Sequence, residues 1–242
     1  MTIHPLMMIN GLVPDRLGPT ILRISRGSCA AAGPGNEGYD QTGTLDVNIA
    51  NVGYLGRDVA AAPTDGTDWF IYLLKKGDGT NSAILSRSLT YNGVAWPNPT
   101  DVPIRKLPWG IIYDVKKYGG FPEYHISHWP MPFTRITAPK PVITNVKAAA
   151  YTQFSLASFM PDNARLAYLQ LQVKGVGTAG QAFISPQTND LFSINAGMAI
   201  PNFTNTQTVH IRPNSDRLMW YKTTGGAQLT IMFLGYSQTE RS

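Results

Sequence analysis

One cysteine, Cys29, is all that the 242 residues provide. A single thiol rules out an intrachain disulfide and a thiolate metal cluster, so the fold does not depend on an oxidising compartment. Charge is scarce as well: charged residues make up 14% of the chain, against about a quarter in ordinary globular proteins. The surface must therefore be covered mostly by Asn, Thr, Ser and Gln, which suits a protein that buries much of its exterior in an assembly. No apolar run approaches the roughly 20 residues that cross a bilayer, so no membrane insertion is expected. The start, Met1-Thr-Ile-His-Pro-Leu-Met-Met-Ile-Asn10, lacks the basic and sustained apolar regions of a secretory signal, which points to synthesis and folding in a cytoplasm.

Turn formers and alternating strands are present in abundance. With 23 Gly and 18 Pro the chain has many reversals, and between them apolar residues recur every second position. Leu169, Leu171 and Val173 share one parity, with Gln170, Gln172 and Lys174 on the other, so one face packs and the other stays wet. Arg217-Leu-Met-Trp-Tyr-Lys222 and Ala227-Gln-Leu-Thr-Ile-Met-Phe-Leu-Gly-Tyr236 alternate in the same way. Gly225-Gly226 between them carries the positive-φ capacity of a tight hairpin. Upstream, strands are expected over 20–25, 44–49, 68–74, 82–87 and 109–115, with Gly77-Asp-Gly79 turning a hairpin between the third and fourth. In the stretch 147–159 the Ala148-Ala-Ala150 run favours helix, whereas Tyr151 to Leu156 alternates like a strand. Strand is preferred there, with helix kept as the alternative.

This pattern predicts an all-β protein of two small β-sandwich or barrel-like domains, residues 1–120 and 142–242. A Pro- and aromatic-rich connector over 121–141 would join them. Its prolines favour extended chain, and its aromatics are too apolar for a solvated linker. Phe121, Tyr124, Trp129, Met131 and Phe133 are its candidate interface residues, because a short linker cannot bury that much apolar area by itself.

Motifs of chemistry are weak. Gly33-Pro-Gly-Asn-Glu-Gly38 has the letters of a dinucleotide fingerprint, but Tyr39-Asp-Gln-Thr-Gly43 follows where a helix is needed, so a loop is the reading. His125 and His128, with Glu123 nearby, are the best metal candidates. Prolines around them oppose the helix that would align them and no third ligand is identifiable, so no metal and no cofactor is assigned. The remaining histidines, His4 and His210, stand alone. No Gly-x-Ser-x-Gly elbow marks a nucleophile, and the 15 acidic residues, Asp46, Asp58, Asp65, Asp68, Asp78 and Asp101 among them, mostly fall where Asp starts or caps turns. The net charge of +5 is spread over the pairs Lys75-Lys76, Arg105-Lys106 and Lys116-Lys117, which is no nucleic-acid patch. In the Trp220-Tyr221 pair, adjacent positions in a strand put one ring in the core and leave the other to stack on a sugar or on another subunit.

Asn10-Gly-Leu-Val13, the loop from Gly27 to Tyr39, and Trp69-Phe-Ile-Tyr-Leu-Leu74 followed by Ala83-Ile-Leu-Ser-Arg-Ser88 resemble a module of small virion proteins of tailed bacteriophages, particularly tail-fibre and other appendage proteins. Trp96-Pro-Asn-Pro99 and Leu107-Pro-Trp-Gly110 look like a divergent form of the segment that follows in that family. Phe154-Ser-Leu-Ala-Ser-Phe-Met-Pro-Asp-Asn-Ala-Arg165 and the closing Leu234-Gly-Tyr236 resemble a second appendage pattern. The resemblance implies a non-enzymatic virion protein made in the host cytoplasm, a subunit of a tail fibre or receptor-binding appendage in host adsorption. Its implied partners are other virion proteins, further copies of itself, with a trimer preferred, and a bacterial surface glycan or protein receptor. A capsid decoration or head-fibre protein is the first alternative, and a carbohydrate-active tailspike enzyme the second.

Overall fold

The structure, a computed structural model, describes residues 9–32, 38–127, 133–162, 164–188 and 193–238, with backbone alone at 124–127, 133 and 238. Strand accounts for 57% of it and helix for 3%, in several small antiparallel sheets, so the protein is all-β as the alternation predicts. The chain forms two compact units, Met1–Pro132 with Gln238–Ser242, and Phe133–Ser237.

The first unit contains β1 (Ile9–Gly11), β2 (Pro14–Gly18), β3 (Ile21–Ile24), β4 (Gly27–Cys29), β5 (Tyr39–Gln41), β6 (Leu45–Asn48), β7 (Thr67–Lys75), β8 (Asn81–Ser86) and β9 (Val102–Tyr113). One helical turn, α1 (Val115–Tyr118), and β10 (Tyr124–Ser127) follow. Three-stranded sheets run in the orders β1-β4-β5, β2-β3-β6 and β8-β7-β9. The run Trp69 to Leu74 does not alternate in polarity because β7 is buried on both faces. Trp69, Ile71 and Leu73 enter a core with Leu22, Trp109 and Phe121, while Phe70, Tyr72 and Leu74 face a second cluster with Ile84 and Val94. The stretch 87–100 covers that second face, and Tyr72 meets Tyr91 and Trp96 edge-on at 5.4 and 5.9 Å.

The expected hairpin joins β7 to β8, closed by Lys76 N donating to Thr80 O at 2.8 Å. β9 starts at Val102, well before the expected strand at 109. It accommodates Pro103 and Pro108 because it is the last strand of its sheet, where missing donors are tolerated. The outer edge of β8 is covered by the loop 49–61, through Leu55 N to Ala83 O, Leu85 N to Gly56 O and Asp58 N to Leu85 O. The Arg57 side chain, 8% exposed, holds this loop. Its guanidinium donates to the carbonyls of Ile49, Ala50, Asn51, Ala60 and Ala61 at 2.7–3.3 Å.

The second unit holds β11 (Phe133–Val146), β12 (Thr152–Ser155), β13 (Ala164–Gly175), β14 (Gly180–Ser185), β15 (Ile194–Ala199), β16 (Thr204–Ile211), β17 (Leu218–Thr223) and β18 (Ala227–Gln238). In one layer β11, β18, β13 and β16 lie side by side in that order; in the other the order is β12-β17-β14-β15. Leu169, Leu171 and Val173 of β13 are fully buried, together with Leu229, Ile231 and Phe233 of β18, and the even-numbered Tyr168, Gln170, Gln172 and Lys174 of β13 lie on the other face.

One expectation is corrected, and one alternative is set aside. Gly225-Gly226 does not turn a hairpin: β17 and β18 belong to different sheets, so the turn carries the chain from one layer to the other. The glycines are needed there because a Cβ on Gly225 would overlap the Ala179 carbonyl, and one on Gly226 the carbonyls of Val176 and Thr178. In the stretch 147–159 the preferred strand is present as β12, and the helical alternative for the Ala148-Ala-Ala150 run is not. Ala148 is tied to the end of β17, where Thr223 N donates to its carbonyl at 2.7 Å and its own N–H donates to Thr223 Oγ1 at 2.9 Å. The division between units falls at 132/133, within the stretch expected as a connector, and strands β10 and β11 occupy much of that stretch.

Candidate functional site

Alternation along β17 turns Met219, Tyr221 and Thr223 inward and leaves Leu218, Trp220 and Lys222 half-buried on the outer face. The same alternation in β14 buries Ala182 and Ile184 and turns Gln181 and Phe183 outward. Register then assembles two rows across the sheet. Gln153 and Trp220 align in one, which ends at the fully buried Ser185, and Lys222, Phe183 and Asn195 align in the other. Tyr151, just ahead of β12, extends the second row, with Lys222 Nζ 5.3 Å from its ring centre. Tyr151, Phe183 and Trp220 are each half-buried, and Gln153 and Asn195 are exposed.

The result is a shallow platform of three aromatic side chains on a backbone fixed by four hydrogen-bonded strands, with amide groups at its margins and one cation in its middle. Rings with two rotatable bonds give flat apolar area at little entropic cost, and each amide offers both donors and acceptors. Such a surface suits a neutral, hydroxyl-rich ligand that presents an apolar face to a ring and hydroxyls to the amides. The opposite layer has a different outer face, where Tyr168 and His210, opposed in β13 and β16, stack at 4.3 Å with 13° between ring planes.

Of the residues singled out from the sequence, Trp220 is the outward member of its pair, and Tyr221 packs inside against Phe154 at 6.2 Å. Phe121 is fully buried in the first core, edge-on to Tyr113 at 5.3 Å, so it is not a surface group of this chain. Tyr124 and Phe133 are backbone positions of β10 and β11, their side chains outside the description, and Trp129 and Met131 lie outside the described residues. The same holds for the His125 side chain, for His128 and His4, and for residues 33–37 of the glycine-rich loop. Among the described residues no group of three or more His, Cys, Asp or Glu side chains is placed to hold a metal ion.

Several aspartates do hold turns. Asp78 accepts from Thr80 N and Oγ1, which keeps its carboxyl below the usual range. Asp114 caps α1 through Lys117 N. Asp101 accepts from Asn98 N and from the Tyr54 hydroxyl at 2.7 Å, an interaction that pushes the Tyr54 phenol up to about 12. Asp46 and Asp68 instead lie within strands β6 and β7, and Asp46 pairs with Arg23 of β3 at 2.7 Å, which lowers the Asp46 carboxyl.

Phe183 and Tyr151 were missed as site residues. In Gln181-Ala-Phe-Ile-Ser185 the phenylalanine reads as another core position, and only register shows it beside Lys222. No protein-family model and no curated protein matches this sequence.

Proposed function

We propose that this chain is a non-enzymatic structural component of a tailed-phage virion, a subunit of a tail fibre or receptor-binding appendage, present in several copies, with a trimer preferred. Its platform over β12, β17, β14 and β15 would engage a bacterial surface glycan. The observation that carries the reading is the outward set Tyr151, Phe183 and Trp220, flanked by Gln153 and Asn195, on a rigid sheet. A single shallow platform gives weak binding, and an appendage makes it effective by presenting several at once. The low charge and the resemblance of both halves to appendage patterns support the same reading.

The test is binding of purified chain to surface polysaccharide from host cells, wild type against Trp220→Ala and Phe183→Ala. Trp220 is an outer-face residue, so its variant should keep the fold while binding falls at least about tenfold, the loss ordinary for a central aromatic anchor. Full binding by both folded variants would reject the platform as the receptor site.

A further inference from the structure

Among the described residues nine large apolar side chains are conspicuously exposed, and four of them, Val176, Met198, Ile200 and Phe203, sit at one end of the second unit. Phe203 is the most exposed of all, at 69%. The backbone fixes them close together. Gly175 bridges to Pro201, Gly175 N donates to Phe203 O, Asn202 N to Gly175 O, and Phe203 N to Ile200 O, so the β13–β14 and β15–β16 turns form one tip. A Cβ on Gly175 would overlap the Ile200 carbonyl, which is why the two turns can touch. Met198 stands opposite Gln181 in register, on the side of the tip that borders the platform.

An exposed apolar cluster this concentrated marks an interaction surface. Its rim indicates the occupant. From residue 175 to 211 the only charged residue is Asp190, in a chain of net charge +5, and Lys174, opposite Thr204, stands at the margin. Identical copies of a cationic protein can approach through such a face without facing like charges, which otherwise oppose self-association. The adjoining strand β16 ends its sheet, and Thr204, Asn205, Thr206, Thr208 and His210 on it are exposed, with neither proline nor charge to guard the edge.

We infer that the tip formed by Val176, Ile200 and Phe203, with Met198, is a contact between copies of this chain in a closed homo-oligomer. The inference rests on the reading of the protein as a multi-copy subunit and adds the surface that joins the copies.

The experiment compares the full chain with an Ile200→Ser, Phe203→Ser variant by light scattering across micromolar concentrations, with circular dichroism to check the fold. The expected result is an oligomer for the wild type and a folded variant whose association is weakened about a hundredfold, two anchors at roughly tenfold each. A second variant, Phe203→Cys, is treated with a short bismaleimide. Cys29 is buried, so crosslinking between copies through position 203 is expected. A wild type that stays monomeric overturns both the inference and the multi-copy reading. An oligomer that survives the double substitution in folded form overturns the tip contact alone. If the double variant does not fold, absence of crosslinking in an oligomeric Phe203→Cys protein overturns it equally.

Discussion

Replacing Arg57 with Met should destabilise the first unit far more than an ordinary surface substitution. The guanidinium is buried, yet among the described residues its acceptors are main-chain carbonyls, those of Ile49, Ala50, Asn51, Ala60 and Ala61, with no carboxylate. It gathers both ends of a loop in which Gly53 and Leu55 have positive φ, 88° and 58°, and which seals the edge of β8. Methionine fills similar volume but leaves these carbonyls without a donor. A hydrogen bond to a charged group is worth about 1.5–3 kcal/mol net. The five contacts share one side chain and water can reach some carbonyls afterwards, so the expected loss is about 3–5 kcal/mol and not the sum. In a unit of this size that lowers the melting temperature by about 10–20 °C. Arg57→Lys, which keeps charge but not the planar fork, should fall between the two. Trp69 and Trp109 lie in the same core, so urea unfolding followed by tryptophan fluorescence reads the effect. A folded Arg57→Met protein within about 1 kcal/mol of wild type would refute the claim that the guanidinium organises the loop.

Gly225→Ala should destabilise the second unit by more than about 2 kcal/mol, combining a left-handed backbone at φ 57° with overlap on the Ala179 carbonyl; calorimetry of the two units would show the loss in one transition only. A fragment from Phe133 to Ser237 should fold cooperatively, whereas one starting at Val142 should be much weaker. It lacks the part of β11 that pairs with Tyr236, Gly235 and Phe233, including buried Ile136. At high pH the sign of the tyrosine effect is fixed. Burial above all holds the phenols of Tyr39, Tyr72 and Tyr118 above the ordinary 10.0, and the hydrogen bond to Asp101 pushes Tyr54 up to about 12. The folded protein therefore keeps protons that the unfolded chain has lost, so stability is intact below pH 10 and declines as pH rises toward 12 and beyond. Tyrosinate absorbance should lag behind that of the urea-unfolded chain; coincident titrations with the fold intact would contradict this.

Much of the fold was legible because strand periodicity is local. The β7–β8 hairpin and the parity of β13 follow from neighbouring residues alone. The crossing from β17 to β18 was not legible, because Gly225-Gly226 satisfies a hairpin and an inter-sheet turn equally well, and the pressure on those glycines comes from Val176, Thr178 and Ala179, nearly fifty residues away. The Ala148 run left helix open beside the preferred strand, and its intrinsic helix preference is overridden by hydrogen bonds to Thr223. Of the platform, only Trp220 could be suspected, since strand parity splits it from Tyr221. Phe183 and Tyr151 join it through cross-strand register, which a single sequence does not carry. Phe203 and Ile200 are apolar residues in a turn and read like core until their exposure is seen.

The central claim is that this chain is a virion appendage subunit that meets the host surface. Antibodies raised against the purified chain, applied to intact particles from lysates of the bacterium that produces it and imaged by electron microscopy, test it most directly. Label concentrated at the tail fibres or tail tip is the predicted result, while label over the head would transfer the protein to the decoration reading. Purified particles that carry none of the chain would contradict the account.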